Sequence, residues 1–303
     1  MKKVTEKYVA GILLVSLLLF TGSGCNTQKN DQENFNVAFI TDLHIDYGRN
    51  AVAGVEKALD TINSLKPDFI LTGGDMIMDA LGQSYGRADS LYKLYQETIK
   101  KAEVPVYNTI GNHEIYGIYS RSGADPSNPE YGEKMYENRM GPSYYSFMHK
   151  GWKFIILNSI EDTGKDRYVG LIDTTQVKWI KEELENTDPE TPIVISTHIP
   201  FISVTDQRYE GSTVANDSAL VIYNSRSVLD LFRGYNLKLV LQGHLHILED
   251  IYYEGVHYIT GGAVSGGWWN GPYRSCEEGF LWLTFSKNDF TWKYIDYGWT
   301  VEQ

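Results

Sequence analysis

Polar and apolar positions fall into blocks along this chain. Five apolar runs stand out: VAFI at 37–40, DFILT at 68–72, VPVYNTI at 104–110, IVIST at 193–197 and LKLVLQ at 237–242. They are short and rich in β-branched residues, so they read as buried strands of an α/β sheet. Between them, helical periodicity covers 51–65, 84–102, 175–186 and 219–233. A hairpin is expected from 143–148 and 152–157 around the turn HKG. The stretch 115–140 is rich in Gly, Pro, Ser and Asn and reads as an inserted loop. Beyond residue 246 the pattern turns to strands, at 247–253, 256–259, 280–285 and 290–295, with turns at EG and KND.

Each of the five runs is followed closely by a polar cluster. In order they are Asp42-Leu43-His44, Gly74-Asp75, Gly111-Asn112-His113-Glu114, His198 and Gly243-His244-Leu245-His246. The C-terminal ends of strands are where open α/β sheets place their ligand crevice. Five of the seven histidines sit in these clusters. Carboxylates, imidazoles and one amide gathered at one site have the chemistry of a metal centre. His149 and His257 match no cluster and are expected to be ordinary surface or satisfied core residues.

The ordered set D-x-H, G-D, G-N-H-E, H, G-H-x-H resembles the calcineurin-like metallophosphoesterases, within them the class III phosphodiesterase-like branch. The stretch Gly170-Leu171-Ile172, with Gln176 and Trp179-Ile180 after it, resembles the strand-to-helix segment of that family. The resemblance implies a four-layer αββα sandwich, two mixed β-sheets flanked by helices. It also implies two divalent metal ions (Mn, Fe, Zn or Co) and hydrolysis by an activated water. Carried over residue by residue, Asp42, His44 and His246 complete metal one, Asn112, His198 and His244 complete metal two, and Asp75 bridges them. Asp75 and Asn112 therefore also count among the catalytic residues. His113 is expected beside the metals rather than on one, protonating the leaving oxygen or stabilising the phosphoryl charge. Glu114 or Asp46 is a candidate to orient a ligand imidazole. Purple acid phosphatases carry a metal-binding Tyr soon after Gly-Asp; here Gly74-Asp75 is followed by MIMDA, so no purple colour is expected.

The N-terminus adds a location. Lys2, Lys3 and Lys7 precede an apolar stretch from Tyr8 to Phe20, the small residues TGSG and then Cys25. This order reads as a signal peptide over 1–24, too short for a comfortable transmembrane helix. A Cys directly after it resembles a bacterial lipoprotein signal, although Gly22 stands where Leu is usual. The expectation is an extracytoplasmic protein, periplasmic or on the cell surface, held to the membrane only by lipid on Cys25. An ordinary secreted protein is the alternative. Residues 25–34 read as a flexible tether and 35–303 as a single domain. With Cys25 lipidated, Cys276 has no disulfide partner.

Composition narrows the partners. Removing residues 1–24 takes away three Lys and one Glu, which moves the formal charge from −12 to −14. Such a charge disfavours nucleic acid polymers and anionic membrane surfaces as partners; the small phosphoester substrate is what the family resemblance implies. Selectivity is expected from the inserts 115–140, 199–217 and 261–279. In the last, GGAVSGGWWNGPYRSCEEG, Trp268, Trp269, Tyr273 and Arg274 are candidates for an aromatic and cationic wall. Arg121, Arg208 and Tyr209 are weaker candidates of the same kind. The favoured substrate is a phosphodiester of cyclic-nucleotide or glycerophosphodiester type. A phosphomonoesterase with the same site and a catalytically silent binding protein are the alternatives.

Overall fold

The computed structural model describes residues 34–301; the expected signal peptide over 1–24, Cys25 and the expected tether up to residue 33 lie outside the described residues. Three parallel strands, β1 (Phe35–Ile40), β2 (Phe69–Thr72) and β3 (Val106–Tyr107), form the centre and one edge of the first sheet. β12 (Gly279–Phe285) and β13 (Phe290–Asp296) complete it antiparallel, in the order β13-β12-β1-β2-β3. The second sheet holds β4 (Tyr145–His149), β5 (Trp152–Ile156), β8 (Ile193–Ser196), β9 (Leu237–Gln242), β10 (Leu248–Tyr253) and β11 (Val256–Gly261). Its order is β10-β11-β9-β8-β5-β4, with β5, β8, β9 and β11 parallel. A separate hairpin joins β6 (Ile160–Asp162) to β7 (Tyr168–Gly170).

The period of two along each strand makes the layers. Phe35, Val37 and Phe39 of β1 share one buried cluster with Phe154, Val194, Leu239, Leu241 and Leu283, which is the core between the sheets. Ala38 and Ile40, pointing the other way, join the cluster that contains the helices' apolar faces. Helix α1 (Ala51–Leu65) contributes Val55, Ala58, Leu59 and Ile62 to it, the spacing of a single helical stripe. Lys66 ends α1 in a left-handed conformation, its N–H reaching Ile62 O and Asn63 O, and Pro67 follows. α2 (Tyr85–Thr98), α3 (Lys134–Met140) and α4 (Thr174–Glu185) cover further parts of the outer faces. Asp173 caps α4 by accepting from the N–H groups of Thr175 and Gln176. Two mixed sheets flanked by helices are the expected αββα architecture.

Two expectations are corrected. The helix expected at 219–233 is only α6 (Ser225–Leu229) followed by a helical turn, Asp230–Phe232. Backbone needed elsewhere stops it starting earlier: Ile222 N–H bonds Pro200 O at 2.8 Å and Tyr223 N–H bonds Gly170 O at 2.7 Å. The region 115–140 is not loop throughout, since α3 closes it; α5 (Thr205–Tyr209) likewise sits inside the insert 199–217.

Candidate metal centre

The five polar clusters converge as the strand ends bring them together. Asp42, His44, Asp75, His244 and His246 all have φ between 44° and 72°. Left-handed backbone is uncommon away from glycine, and a set of such residues at one place is the mark of a functional site. The close approach also requires glycine at Gly243, where a Cβ would lie 2.1 Å from Thr41 Oγ1 and 2.8 Å from Asp42 Oδ2.

Two groups form around one shared carboxylate. On one side are Asp42, His44 and His246: His246 Nε2 lies 3.3 Å from Asp42 Oδ1 and 2.9 Å from His44 Nε2. On the other are Asp75, His198 and His244: His198 Nε2 lies 3.2 Å from Asp75 Oδ2, 3.2 Å from His244 Nδ1 and 3.0 Å from Asn112 Oδ1. Asp75 Oδ2 is also 3.7 Å from His44 Nε2, so Asp75 stands between the groups. All of these residues except His244 are no more than 2% exposed.

The tautomers test whether cations fit. His198 Nδ1 faces Gly73 O at 2.7 Å, His246 Nδ1 faces Gly266 O at 2.5 Å, and His244 Nε2 faces Ala219 O at 3.0 Å. A carbonyl only accepts, so each of these ring nitrogens carries the proton. When such a ring is neutral, its other nitrogen presents a lone pair inward, among the lone pairs of carboxylates and of Asn112 Oδ1. Acceptors crowded on acceptors need positive charge between them, and these residues fit a pair of divalent cations. The same charges set the titration directions. Burial works against charge on His198, but Asp75 overrides it and lifts that imidazole to about 9. Burial likewise opposes charge on His246, and Asp42 still raises it. Burial, then the neighbouring His198, push His244 down to about 4; burial and His113 drive His44 well below the usual imidazole value. Burial works to raise Asp42 and Asp75, but the surrounding histidines hold both below the usual carboxylate range.

The supports differ from those expected of Glu114 and Asp46. Backbone carbonyls, not carboxylates, orient the imidazoles of His198, His244 and His246. Glu114 instead sits fully buried beneath the main chain: Oε2 accepts from Asp75 N and Gly111 N, and Oε1 from Ile77 N. Burial, then the charge on Asp75, push Glu114 up to about 8. Asp46 faces outward and pairs with Arg87. His113 follows Asn112 in a helical turn, Asn112–Glu114, with its N–H bonded to Asp75 Oδ1 at 2.9 Å. Its Nδ1 meets Met78 O and its Nε2 lies 3.8 Å from Asp75 Oδ2, so the free edge of the ring faces the site. His149 and His257 lie away from the site, beside Asp68 and Asp250.

A cleft of about 250 Å³ opens over these groups, and Trp268, Tyr273 and Arg274 line it. The Trp268 ring lies 4.3 Å from that of His246. Arg274 lies over the ring of Tyr209 at 4.0 Å and donates to Thr205 Oγ1 at 3.2 Å. Trp269 is not brought to the cleft. It is 2% exposed, its Nε1 donates to His44 O, and its ring presses on Gly54, where a Cβ would lie 2.1 Å away. It packs the loop and so has no surface to offer a substrate. Sequence reasoning missed Tyr168, Thr205, Asp206 and Leu220, which also line the cleft. A second cleft of about 410 Å³ is walled by Tyr119, Arg121 and Met78. Asn112, His113 and Tyr168 line both. A larger hollow of about 520 Å³ beside Arg226, Phe232 and Tyr258 contains none of the clustered residues.

A fold of this kind with carboxylates and imidazoles at its strand ends defines a class of metal-dependent phosphoester hydrolases. Residues 35–248 match the calcineurin-like phosphoesterase family model, and the chain belongs to that family. Members of the family generally hold two metal ions at one site. The chain is 28% identical over 187 residues to purple acid phosphatase 13 of Arabidopsis thaliana, covering 55% of this chain and 30% of that protein. It thus spans less than a third of the length of the curated relatives it matches. Among solved structures, a dimetal phosphatase from Danio rerio superposes with a TM-score of 0.58 at 14% identity, covering 87% of this chain and 99% of that one. The yellow lupin purple acid phosphatase PPD1 superposes with a TM-score of 0.56 at 15% identity, covering 88% and 52%.

Proposed function

We propose that this protein is an extracytoplasmic, metal-dependent phosphodiesterase acting on small diesters of cyclic-nucleotide or glycerophosphodiester type. The observation that carries the diester reading is the pair of clefts meeting at Asn112 and His113. A diester has two organic arms on one phosphorus, and two clefts that share these residues give each arm a place. A monoester would use one.

Asp42, His44 and His246 would hold one divalent ion, Asn112, His198 and His244 the other, and Asp75 both. When bound, the ions supply electrostatic stabilisation of the phosphoryl oxygens and an acidified water. The protein's own residues do the rest. Glu114 fixes the main chain that carries Asp75. His113, with Nδ1 held by Met78 O, offers Nε2 as the donor to the departing ester oxygen. Trp268, Tyr273 and Arg274 wall the arm that leaves, an aromatic and cationic surface suited to a base or another flat group. The absence of Tyr from the MIMDA segment after Asp75 supports the class III phosphodiesterase-like branch rather than the purple enzymes. The location rests on the charged start, the apolar stretch and Cys25, with Cys25 as the lipid-bearing residue.

The test is hydrolysis of bis-p-nitrophenyl phosphate against p-nitrophenyl phosphate by Mn²⁺-loaded protein. Faster turnover of the diester supports the reading. Preference for the monoester makes the protein a phosphatase, and turnover of neither, with two metals bound, makes it a binding protein.

A further inference from the structure

The β6–β7 hairpin stands outside both large sheets, yet one of its residues reaches the centre. Tyr168 lines both clefts, alongside Asn112 and His113. Its ring meets that of His244 edge-on at 6.3 Å. The hairpin is clamped in place: Gly170 N–H donates to Ser218 O at 2.7 Å, Tyr223 N–H donates to Gly170 O, and a Cβ on Gly170 would come within 2.5 Å of Val221 O. The same segment supplies Ala219 O, the acceptor for His244 Nε2. One stretch of chain thus sets the positions of both Tyr168 and His244.

The Tyr168 hydroxyl has no hydrogen-bond partner among the described residues. Tyr168 is half-buried, at the wall of both clefts. Packing against His244 needs only the ring, so a Phe would fill the same space. A fixed hydroxyl that faces a cleft beside the shared carboxylate, with no internal use, is a donor kept for a ligand.

We propose that Tyr168 is a catalytic residue whose hydroxyl donates a hydrogen bond to a non-bridging phosphoryl oxygen, while its ring separates the two ester arms. No proton is transferred: the hydroxyl keeps its hydrogen and stabilises the negative charge that gathers on the phosphoryl group in the transition state. The proposal rests on the phosphoesterase reading given above.

The experiment compares the Mn²⁺-loaded full chain with Tyr168→Phe and Tyr168→Leu. It measures bound metal, kcat and KM for bis-p-nitrophenyl phosphate, and inhibition by vanadate, which mimics the crowded phosphoryl group. Tyr168→Phe is expected to keep its metal and its KM, to lose roughly 10- to 100-fold in kcat, and to bind vanadate more weakly by a similar factor. Tyr168→Leu should show the same kcat loss together with a raised KM, because the wall between the arms is gone. Unchanged kcat and vanadate inhibition in Tyr168→Phe overturn the proposal. So does loss of metal in that variant, which would make the phenol a ligand. An inactive parent protein with two metals bound overturns the phosphoesterase reading itself, and this proposal with it.

Discussion

Glu114 Oε2 accepts the backbone N–H of Asp75 at 2.9 Å, so the residue that stands between the two halves of the centre is held from beneath by a buried carboxylate. The same oxygen takes Gly111 N–H at 2.8 Å, and the other takes Ile77 N–H at 3.0 Å. In Glu114→Gln one oxygen becomes an NH₂ group, which must face backbone donors that it cannot satisfy. The expected cost is about 1–3 kcal/mol for each N–H left buried and unpaired. Because the strained Asp75 backbone loses its anchor, metal affinity should fall roughly 10- to 100-fold. Thermal unfolding and Mn²⁺ titration of the variant check both. A variant with parental stability and affinity would show that the contact does not position Asp75.

Asp75 and His113 should separate cleanly by metal content. Asp75→Asn removes the charge shared by the two groups and should lose metal together with activity. His113→Ala should keep both metals and still lower turnover by roughly 10²–10⁴. The loss should shrink for p-nitrophenolate, which needs little protonation as it leaves. His113 Nε2 also stands close enough to Asp75 and His44 to join a ligand group with them. Loss of metal from His113→Ala would therefore assign it to coordination instead.

Trp268 and Trp269 are neighbours with different expected outcomes. Trp269→Ala empties a buried site between Gly54 and Trp299 and should destabilise the fold by about 3–5 kcal/mol. Trp268→Ala should leave the melting temperature within a few degrees and raise KM for aromatic esters. Equal loss of stability in both would place Trp268 in the packing of the loop rather than in the wall of the cleft.

The sequence revealed the parts that local chemistry dictates. Asp42, His44, Asp75, Asn112, His198, His244 and His246 each follow a strand by a few residues, and open α/β sheets place their ligand crevice at those strand ends. The two-sheet architecture came from the family resemblance that those residues carry, and the order of the runs was compatible with it. What stayed hidden depends on contacts distant along the chain. Trp268 and Trp269 read alike until the glycine at position 54 makes room for one of them. Tyr168 sits in a three-residue strand inside the polar stretch EDTGKDRYVG, where no alternation marks it. The segment 219–224 has helical periodicity, but its backbone is taken by Gly170, Pro200 and His244.

Acid should loosen one corner of the fold. Arg139 on α3 reaches Asp89 Oδ1 on α2 at 2.8 Å and Glu130 Oε2 at 3.0 Å, with all three half-buried. Arg139 holds Glu130 below the usual carboxylate range; Lys93 first, then Arg139, do the same for Asp89. Both folded-state values are lowered, so the stabilisation is complete above the unfolded carboxylate values and is lost as pH falls through the folded ones. At neutral pH Arg139→Met should be less stable by roughly 1–3 kcal/mol. The gap from the parent should narrow as pH drops from about 5 toward 3. A gap that stays constant across that range would mean that Arg139 acts through packing alone.

The most direct measurement is metal stoichiometry read alongside turnover in the same samples. The protein would be stripped with chelator, titrated with Mn²⁺ and assayed on bis-p-nitrophenyl phosphate at each step. Two ions per chain, with turnover rising as the second binds, is the result expected of a centre built around Asp75. Turnover that survives chelation, or full activity with a single ion, would contradict it.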